Sequence, residues 1–255
     1  MTRLRGEGPG YREHTPAPDL APWIECFWTR GAGPAPSGAK TYRVLPDGCA
    51  DVIFAIGRRV DGFVVGPMTH AIVVPAPGET RMVGVRFHPG AGGAFLSVPL
   101  RTLVDQRVAL DAIWTGSAEA TERLAEASAA GRAVDAFETE LRARLQRAAS
   151  IPSPRARVLI QRLAAEPEGA SVADMAARAG ITRQHLRRVF EQHVGYGPKK
   201  LARILRLRRT LRLLDSRGAA NLATVALDAG YYDQAHMNAD FRDLAGCPPL
   251  ASRNG

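Results

Sequence analysis

The 255-residue chain holds three cysteines, Cys26, Cys49 and Cys247, and none stands in a CxxC pair. An odd number at scattered positions argues against a disulfide framework or a structural zinc site. No stretch approaches the ~20 consecutive apolar residues of a membrane span. The N-terminus, MTRLRGEGPG, lacks the apolar core of a signal peptide, which points to the cytoplasm. Sequence marks of enzymes are missing too: there is no G-x-S-x-G, no H-E-x-x-H and no Walker loop, so the chain reads as non-enzymatic, and nothing calls for a cofactor. The run PGAGG (89–93) matches neither G-x-G-x-x-G nor a P-loop with its Lys, and reads as a tight strand-to-helix turn.

What the chain has is positive charge in one place. The formal net charge is +9. Residues 1–150 carry 17 Lys and Arg against 16 Asp and Glu, whereas residues 151–255 carry 17 against 9. Nearly all of the excess sits in the C-terminal part, which favours a polyanion partner over a merely solvated surface. The basic helices have no wide apolar face with Trp anchors, so a membrane surface is not the partner they suit.

The chain divides near Ser150, where AASIPSPRAR carries Pro152 and Pro154 and stops the preceding helix. The expected fold is an α+β multidomain chain: a β-rich barrel or sandwich with trailing helices over 1–150, and an all-α domain over 151–255. In the first part TYRVL, DVIFAI, GFVVG, AIVVP and RMVGVRF are short β-rich runs between turn sequences. RMVGVRF alternates, with Val83, Val85 and Phe87 on one face and Met82, Gly84, Arg86 and His88 on the other. Residues 117–147 read as two helices broken at Gly131, and GAGPAPSG (31–38) as a flexible loop. His70, His88, Asp47, Cys49 and Glu79 are the polar residues with site chemistry, but their spacing gives no cluster of the kind a metal needs, and no metal is expected. Trp23, Phe27 and Trp28 read as core or interface, with an aromatic ligand wall as the alternative.

The second part contains two helix-turn-helix patterns, SVADMAARAGITRQHLRRVFEQHVG (171–195) and NLATVALDAGYYDQAHMNADFRDLAG (221–246). Each is a short Ala-rich helix, a glycine turn and a longer helix with a polar side. Ser171 and Thr182 are N-caps in the first, and Asp233 caps the second recognition helix. Leu186, Val189 and Phe190 form the buried stripe of the first recognition helix, leaving Arg183, Gln184, Arg187 and Arg188 toward solvent or a groove. Arg takes guanine bidentately and Gln takes adenine. In the second unit Gln234, His236, Asn238 and Arg242 are the candidates to reach bases or phosphates. An ordinary solvated helix surface is the alternative for the four of the first unit.

These motifs resemble the AraC/XylS family of transcription regulators. The resemblance covers Arg155–Arg253 and is strongest in GYYDQAHMNADFRDLAGCPPLASR. It implies two helix-turn-helix units that bind adjacent major-groove segments of double-stranded DNA, with Gln184, Arg187 and Arg188 at base-contacting positions. LAPWIECFW, VLPDGCADVIF and VVGPMT are similar to a domain often placed ahead of this one, which implies a cupin-like sensor or dimerisation module. A small-molecule effector, a second copy of the chain and, for an activator, RNA polymerase are the partners that follow. The sequence departs from the family at Ala239, where a basic residue is usual. Asp240 and Asp243 add negative charge to the same helix, so the first unit is expected to specify and the second mainly to position. The helix between the units, PKKLARILRLRRTLRLLDS, starts at Pro198 and fixes their spacing; on one DNA face that spacing is one turn, about 34 Å. Two rivals remain: a DNA-repair alkyl transferase joined to such a domain, against which three scattered cysteines speak, and a DNA-packing protein without sequence preference.

Overall fold

The computed structural model describes residues 10–32, 41–75, 78, 80–148, 151–165, 171–217 and 221–253. Glu79, most of the GAGPAPSG loop and the division at Ser150 lie outside the described residues. The N-terminal part contains β1 (Tyr11–His14), β2 (Ile24–Arg30), β3 (Thr41–Val44), β4 (Asp51–Ile56), β5 (Val60–Val65), β6 (Ile72–Pro75), β7 (Arg81–Phe87) and β8 (Arg107–Ala109). Six of them form one antiparallel sheet in the order β1-β2-β7-β4-β5-β8, and β3 pairs with β6 as a separate ribbon. The five strands expected from sequence are β3 to β7. Strands β1, β2 and β8 are additional. In β2 both faces are covered, so IECFWTR shows no clean apolar–polar alternation.

The sheet has two differently used faces. Val83, Val85 and Phe87 bury on one side with Phe27, Val52 and Phe54, as the alternation of RMVGVRF requires. After β7 the chain turns through α1 (Gly93–Leu96) and reaches α2 (Ser117–Ala129) and α3 (Ala133–Gln146), which break apart at Gly131. Phe137 of α3 packs its ring 5.7 Å from that of Phe27 and 5.3 Å from that of Phe54. Deleting such a fully buried ring costs about 3–5 kcal/mol. On the other face, the ribbon closes a space over Trp28, Ile53, Met82 and Arg86. Gly84 lies on that face, where a Cβ would meet the Trp28 indole at 2.3 Å. Only a residue without a side chain lets Trp28 lie flat there.

The C-terminal part is all helical: α4 (Pro154–Ala165), α5 (Val172–Arg178), α6 (Arg183–His193), α7 (Pro198–Arg217), α8 (Leu222–Asp228) and α9 (Gln234–Leu244). Leu201, Ile204, Leu205, Leu207 and Leu211 of α7 are the spine of a second core, on which Met175, Leu186 and Phe190 of the first unit and Ala226, Met237 and Phe241 of the second are packed. The two cores meet, since Leu45, Ala71 and Val104 of the β-rich part pack against the helical one.

Candidate functional site

Each helix-turn-helix unit is punctuated by its own side chains. Ser171 accepts from the backbone N–H groups of Ala173 and Asp174, and Thr182 from that of His185 at 3.1 Å. Asn221 and Asp233 do the same in the second unit. These oxygens satisfy donors that a helix start leaves open. Gly180 (φ +58°) and Gly230 (φ +87°) form the turns in the left-handed region that other residues enter at a cost.

The capped first turn of α6 displays Arg183, Gln184 and His185, all exposed, and Arg187 and Arg188 follow on the exposed side. Four of the expected contact residues therefore share one open surface. Arg187 also reaches along the helix to Glu191, Nε to Oε1, at 2.6 Å. That exposed i,i+4 pair is weak enough to yield to a phosphate or a guanine. On α9, His236 and Arg242 are exposed and Gln234 and Asn238 half-buried. His236 sets its ring edge-on to Tyr231, 5.2 Å between centroids, and Arg242 Nε donates to the Asn238 carbonyl at 3.3 Å. Tyr232, just before the Asp233 cap, is 86 % exposed. Sequence reading passed over it, although a second aromatic after the turn glycine has no place in the core.

The acids of α9 act differently from the sequence-based expectation. Asp240 is only 3 % exposed and accepts from Arg203 Nε of α7 at 2.8 Å, with Arg206 at 3.8 Å. Asp243 pairs with Arg203 at 2.7 Å and with Lys200 at 3.7 Å. The hydrogen bond from Arg203 holds the Asp243 carboxyl below the usual carboxylate range. These two charges are neutralised against the connecting helix. They clamp α9 onto α7, and Asp240 does not add a negative field in a groove.

Comparison with known proteins agrees with this geometry. Residues 175–255 match the family model described as a helix-turn-helix domain, and residues 12–109 match one described as a domain of unknown function (DUF6597). The C-terminal part is an AraC-type helix-turn-helix domain. Among solved structures, the C-terminal domain of AraT, a response regulator from Geobacillus stearothermophilus, is 21% identical, with 41% of this chain and 88% of that one covered at a TM-score of 0.38. A probable AraC family transcriptional regulator from Rhodopseudomonas palustris is 24% identical over 40% of this chain and 96% of its own, TM-score 0.35. ToxT from Vibrio cholerae spans 96% of this chain and 100% of its own at 9% identity and a TM-score of 0.47. No curated protein matches the chain. A helix-turn-helix domain of this type is a DNA-binding module.

The AraC-type domain is tied to the β-rich part at both recognition helices and at α7. Backbone N–H of Ala71 donates to Leu244 O at 2.7 Å, and Arg43 Nη1 donates to Ala245 O at 2.7 Å, at the C-terminal end of α9. A cation belongs there, where a helix leaves carbonyls unpaired. Gly195, after α6, abuts Val104 and Leu100 so closely that a Cβ would lie 2.7 Å from Val104 Cγ2. From α7, Arg208 donates to Glu25 Oε1 of β2 at 2.9 Å and to Asp47 O at 3.4 Å. Burial alone would raise the Glu25 carboxyl, but the Arg208 charge and hydrogen bond overcome it and hold it down to about 2.

Behind Glu25 lies a cluster of buried charge. Cys49 Sγ donates to Glu25 Oε2 at 3.2 Å, and its backbone N–H to Asp47 Oδ1 at 3.0 Å. Arg86 lies 3.5 Å from Asp51 and 3.6 Å from both Asp47 and Glu13. Glu25, Asp47 and Cys49 bring ligand-type atoms within 4.8 Å of one another, the one such group among the described residues. Arg208 and Arg86 flank it and supply the positive charge a cation would bring. His70 and His88 take no part: His70 sits by Asp105 at 3.7 Å, and the backbone of His88 donates to Trp23 O. Buried Cys26 has its thiol pushed up to about 12 by burial, which leaves it a poor nucleophile.

The space between sheet and ribbon is a cavity of about 520 Å³. Its walls include Trp28, Ile53, Val65 and Met82 from the sheet side and Tyr42, Val44, Ile72 and Val74 from the ribbon, with charged groups at Arg30, Asp51, Arg86, Asp105 and Arg107. A mostly apolar cavity with a few polar groups has the make-up of a small-molecule site. Of the three early aromatics, Trp28 lines it, whereas Trp23 and Phe27 belong to the core on the other face.

Proposed function

We propose that the chain is a sequence-specific regulator of transcription whose β-rich part, residues 1–150, takes a small-molecule effector and whose helical part, 151–255, reads double-stranded DNA through two adjacent major-groove segments. The observation that carries the DNA reading is the capped N-terminal turn of α6, which holds Arg183, Gln184, Arg187 and Arg188 together on an exposed face. Gln234, His236, Asn238 and Arg242 of α9 are the corresponding contacts of the second unit. The family resemblance adds Gln184, Arg187 and Arg188 as base readers. Effector response is supported by the cavity and by the ribbon that forms one of its walls. One side of that ribbon faces the cavity through Tyr42, Val44, Ile72 and Val74, and Arg43 on its other side holds the end of α9.

The test is selection of binding sites from random double-stranded DNA with the full-length protein, with and without a metabolite extract. A defined bipartite site whose affinity changes with extract is expected. Protection of DNA without any preferred sequence would overturn the reading in favour of a packing protein. A palindromic repeat of the site would show that two copies bind together.

A further inference from the structure

This inference rests on the effector-site reading and asks what kind of molecule the cavity takes. The charges on its wall can be matched one by one. Arg86 is surrounded by Asp51, Asp47 and Glu13. Asp105 accepts from the backbone N–H of Thr69 at 2.7 Å and from its hydroxyl at 2.6 Å, beside His70. Arg107 is exposed at the rim, its guanidinium 3.9 Å over the Phe63 ring.

Arg30 is the exception. It is 7 % exposed, and among the described residues no carboxylate pairs with it. Its guanidinium lies 4.8 Å over the Tyr42 ring and lines the cavity with no acid beside it among the described residues. An anion on the same wall would meet this unmatched positive charge and accept a charge-assisted hydrogen bond from it. A second observation lies two residues back on the same face of β2. Among the described residues Trp28 Nε1 is buried without a hydrogen-bond partner. Its indole, flat on Gly84 and stacked on Tyr11 at 5.9 Å, makes a planar wall. Beyond it the wall is apolar through Ile53 and Val65, and the Asp51–Arg86 pair has its charges matched, so Arg30 is the one buried wall charge left for an acid group.

We propose that the cavity binds a small amphipathic monoanion, an aromatic or apolar body bearing one carboxylate, with the acid group on Arg30 and the body between Trp28 and the ribbon. The Trp28 N–H then donates to an acceptor of the ligand. The acid group also reinforces the stack of Arg30 on Tyr42, so the ligand bridges sheet and ribbon.

Calorimetric titration of the full-length protein with 2-naphthoate, 2-naphthamide and 2-naphthylmethylammonium tests this. Naphthoate should bind at least about tenfold more tightly than the amide, and the ammonium most weakly. Arg30→Met should bring naphthoate down to the level of the amide, and Arg30→Lys should keep the preference. Ile53→Trp, which fills the cavity, should abolish binding of all three. If the amide or the ammonium binds as well as naphthoate, or if Arg30→Met leaves the preference intact, the anion proposal falls while the cavity remains the effector site. Binding that survives Ile53→Trp, or no binding of any probe, overturns the effector-site reading as well. Should Arg30→Met fail to fold, the ranking of the three probes on the wild-type protein decides.

Discussion

At the scale of single residues, arginines that look alike in sequence divide by what they touch. Arg188 is exposed with no acid beside it among the described residues, whereas Arg203 is clamped between Asp240 and Asp243. Arg188→Ala should therefore lose about 1–3 kcal/mol of preference for the selected DNA site and leave the melting temperature nearly unchanged. Arg203→Ala should lower stability by about 2 kcal/mol, because it strands the buried Asp240 carboxylate. Thermal unfolding and competition binding on the two variants separate these outcomes; a selectivity loss confined to Arg203→Ala would reverse the assignment. Glu25 makes a pH prediction. Its carboxyl is held at about 2, below the ordinary 4.5, by Arg208, so its contribution is complete above the ordinary value and is lost as the pH falls toward 2. Glu25→Gln should lower the melting temperature at neutral pH and flatten its decline between about pH 5 and pH 2. A decline as steep as in the wild type would show that other carboxylates set the acid limit.

At the scale of elements, the β3–β6 ribbon joins the cavity to the second recognition helix, and Arg43 is the side chain that makes the joint. Arg43→Ala leaves Ala71 N–H alone on the end of α9. DNA affinity without ligand should change by less than about threefold, while the change in affinity that naphthoate produces should shrink; fluorescence anisotropy with and without naphthoate measures both. An undiminished ligand effect would place the coupling elsewhere. This joint could not be read from the sequence, and the reason is physical. Helix-turn-helix units announce themselves locally: Ser171, Thr182 and Asp233 cap helices within three residues of themselves, and apolar residues recur at helical spacing. Strands β3 to β7 show through short β-branched runs. Strand β2 does not, because burial on both faces erases its alternation; β1 is a short, mostly polar edge strand, and β8, at the other edge, is only three residues long. Arg43, Glu25 and Arg208 find partners about two hundred residues away, and a lone charge in a strand or helix gives no hint of its distant mate. Six of the eight contact candidates were legible as exposed positions on helices, whereas Gln234 and Asn238 are half-buried. The acids of α9 misled, since sequence gives the charge of Asp240 and not the Arg203 that absorbs it.

At the scale of the whole molecule, the two cores and the uneven charge work together. The β-rich part, nearly neutral in sequence, holds α6 at Gly195, α7 at Arg208 and α9 at Leu244 and Ala245. Both recognition helices are gripped at their C-terminal ends, so their capped first turns are the free ends, and the rigid α7 sets their separation. The basic excess of the helical part is smaller at the surface than the count suggests, because Arg208 is matched by Glu25 of the β-rich part, and Arg203 is tied up by Asp240 and Asp243 of its own part. Phosphate contacts must come from the remaining cations, with Arg183 and Arg188 in the first unit and Arg242 as the one cation between Gly230 and Gly246. The neutralisation of Asp240 removes one reason for the second unit to bind weakly, but Ala239 still offers no hydrogen-bonding or charged group to a base. The footprint should thus be bipartite, with its segments about 34 Å apart and most base-level preference under the first unit. Arg242→Ala should lower the salt slope of binding by about 0.9 without altering which sequence is preferred, as loss of one phosphate contact does. Gln184→Ala should relax the preference at a position in the first segment alone. Site selection repeated with both variants decides between them: equal relaxation in both segments, or a new preferred sequence for Arg242→Ala, would mean that the second unit reads bases as fully as the first.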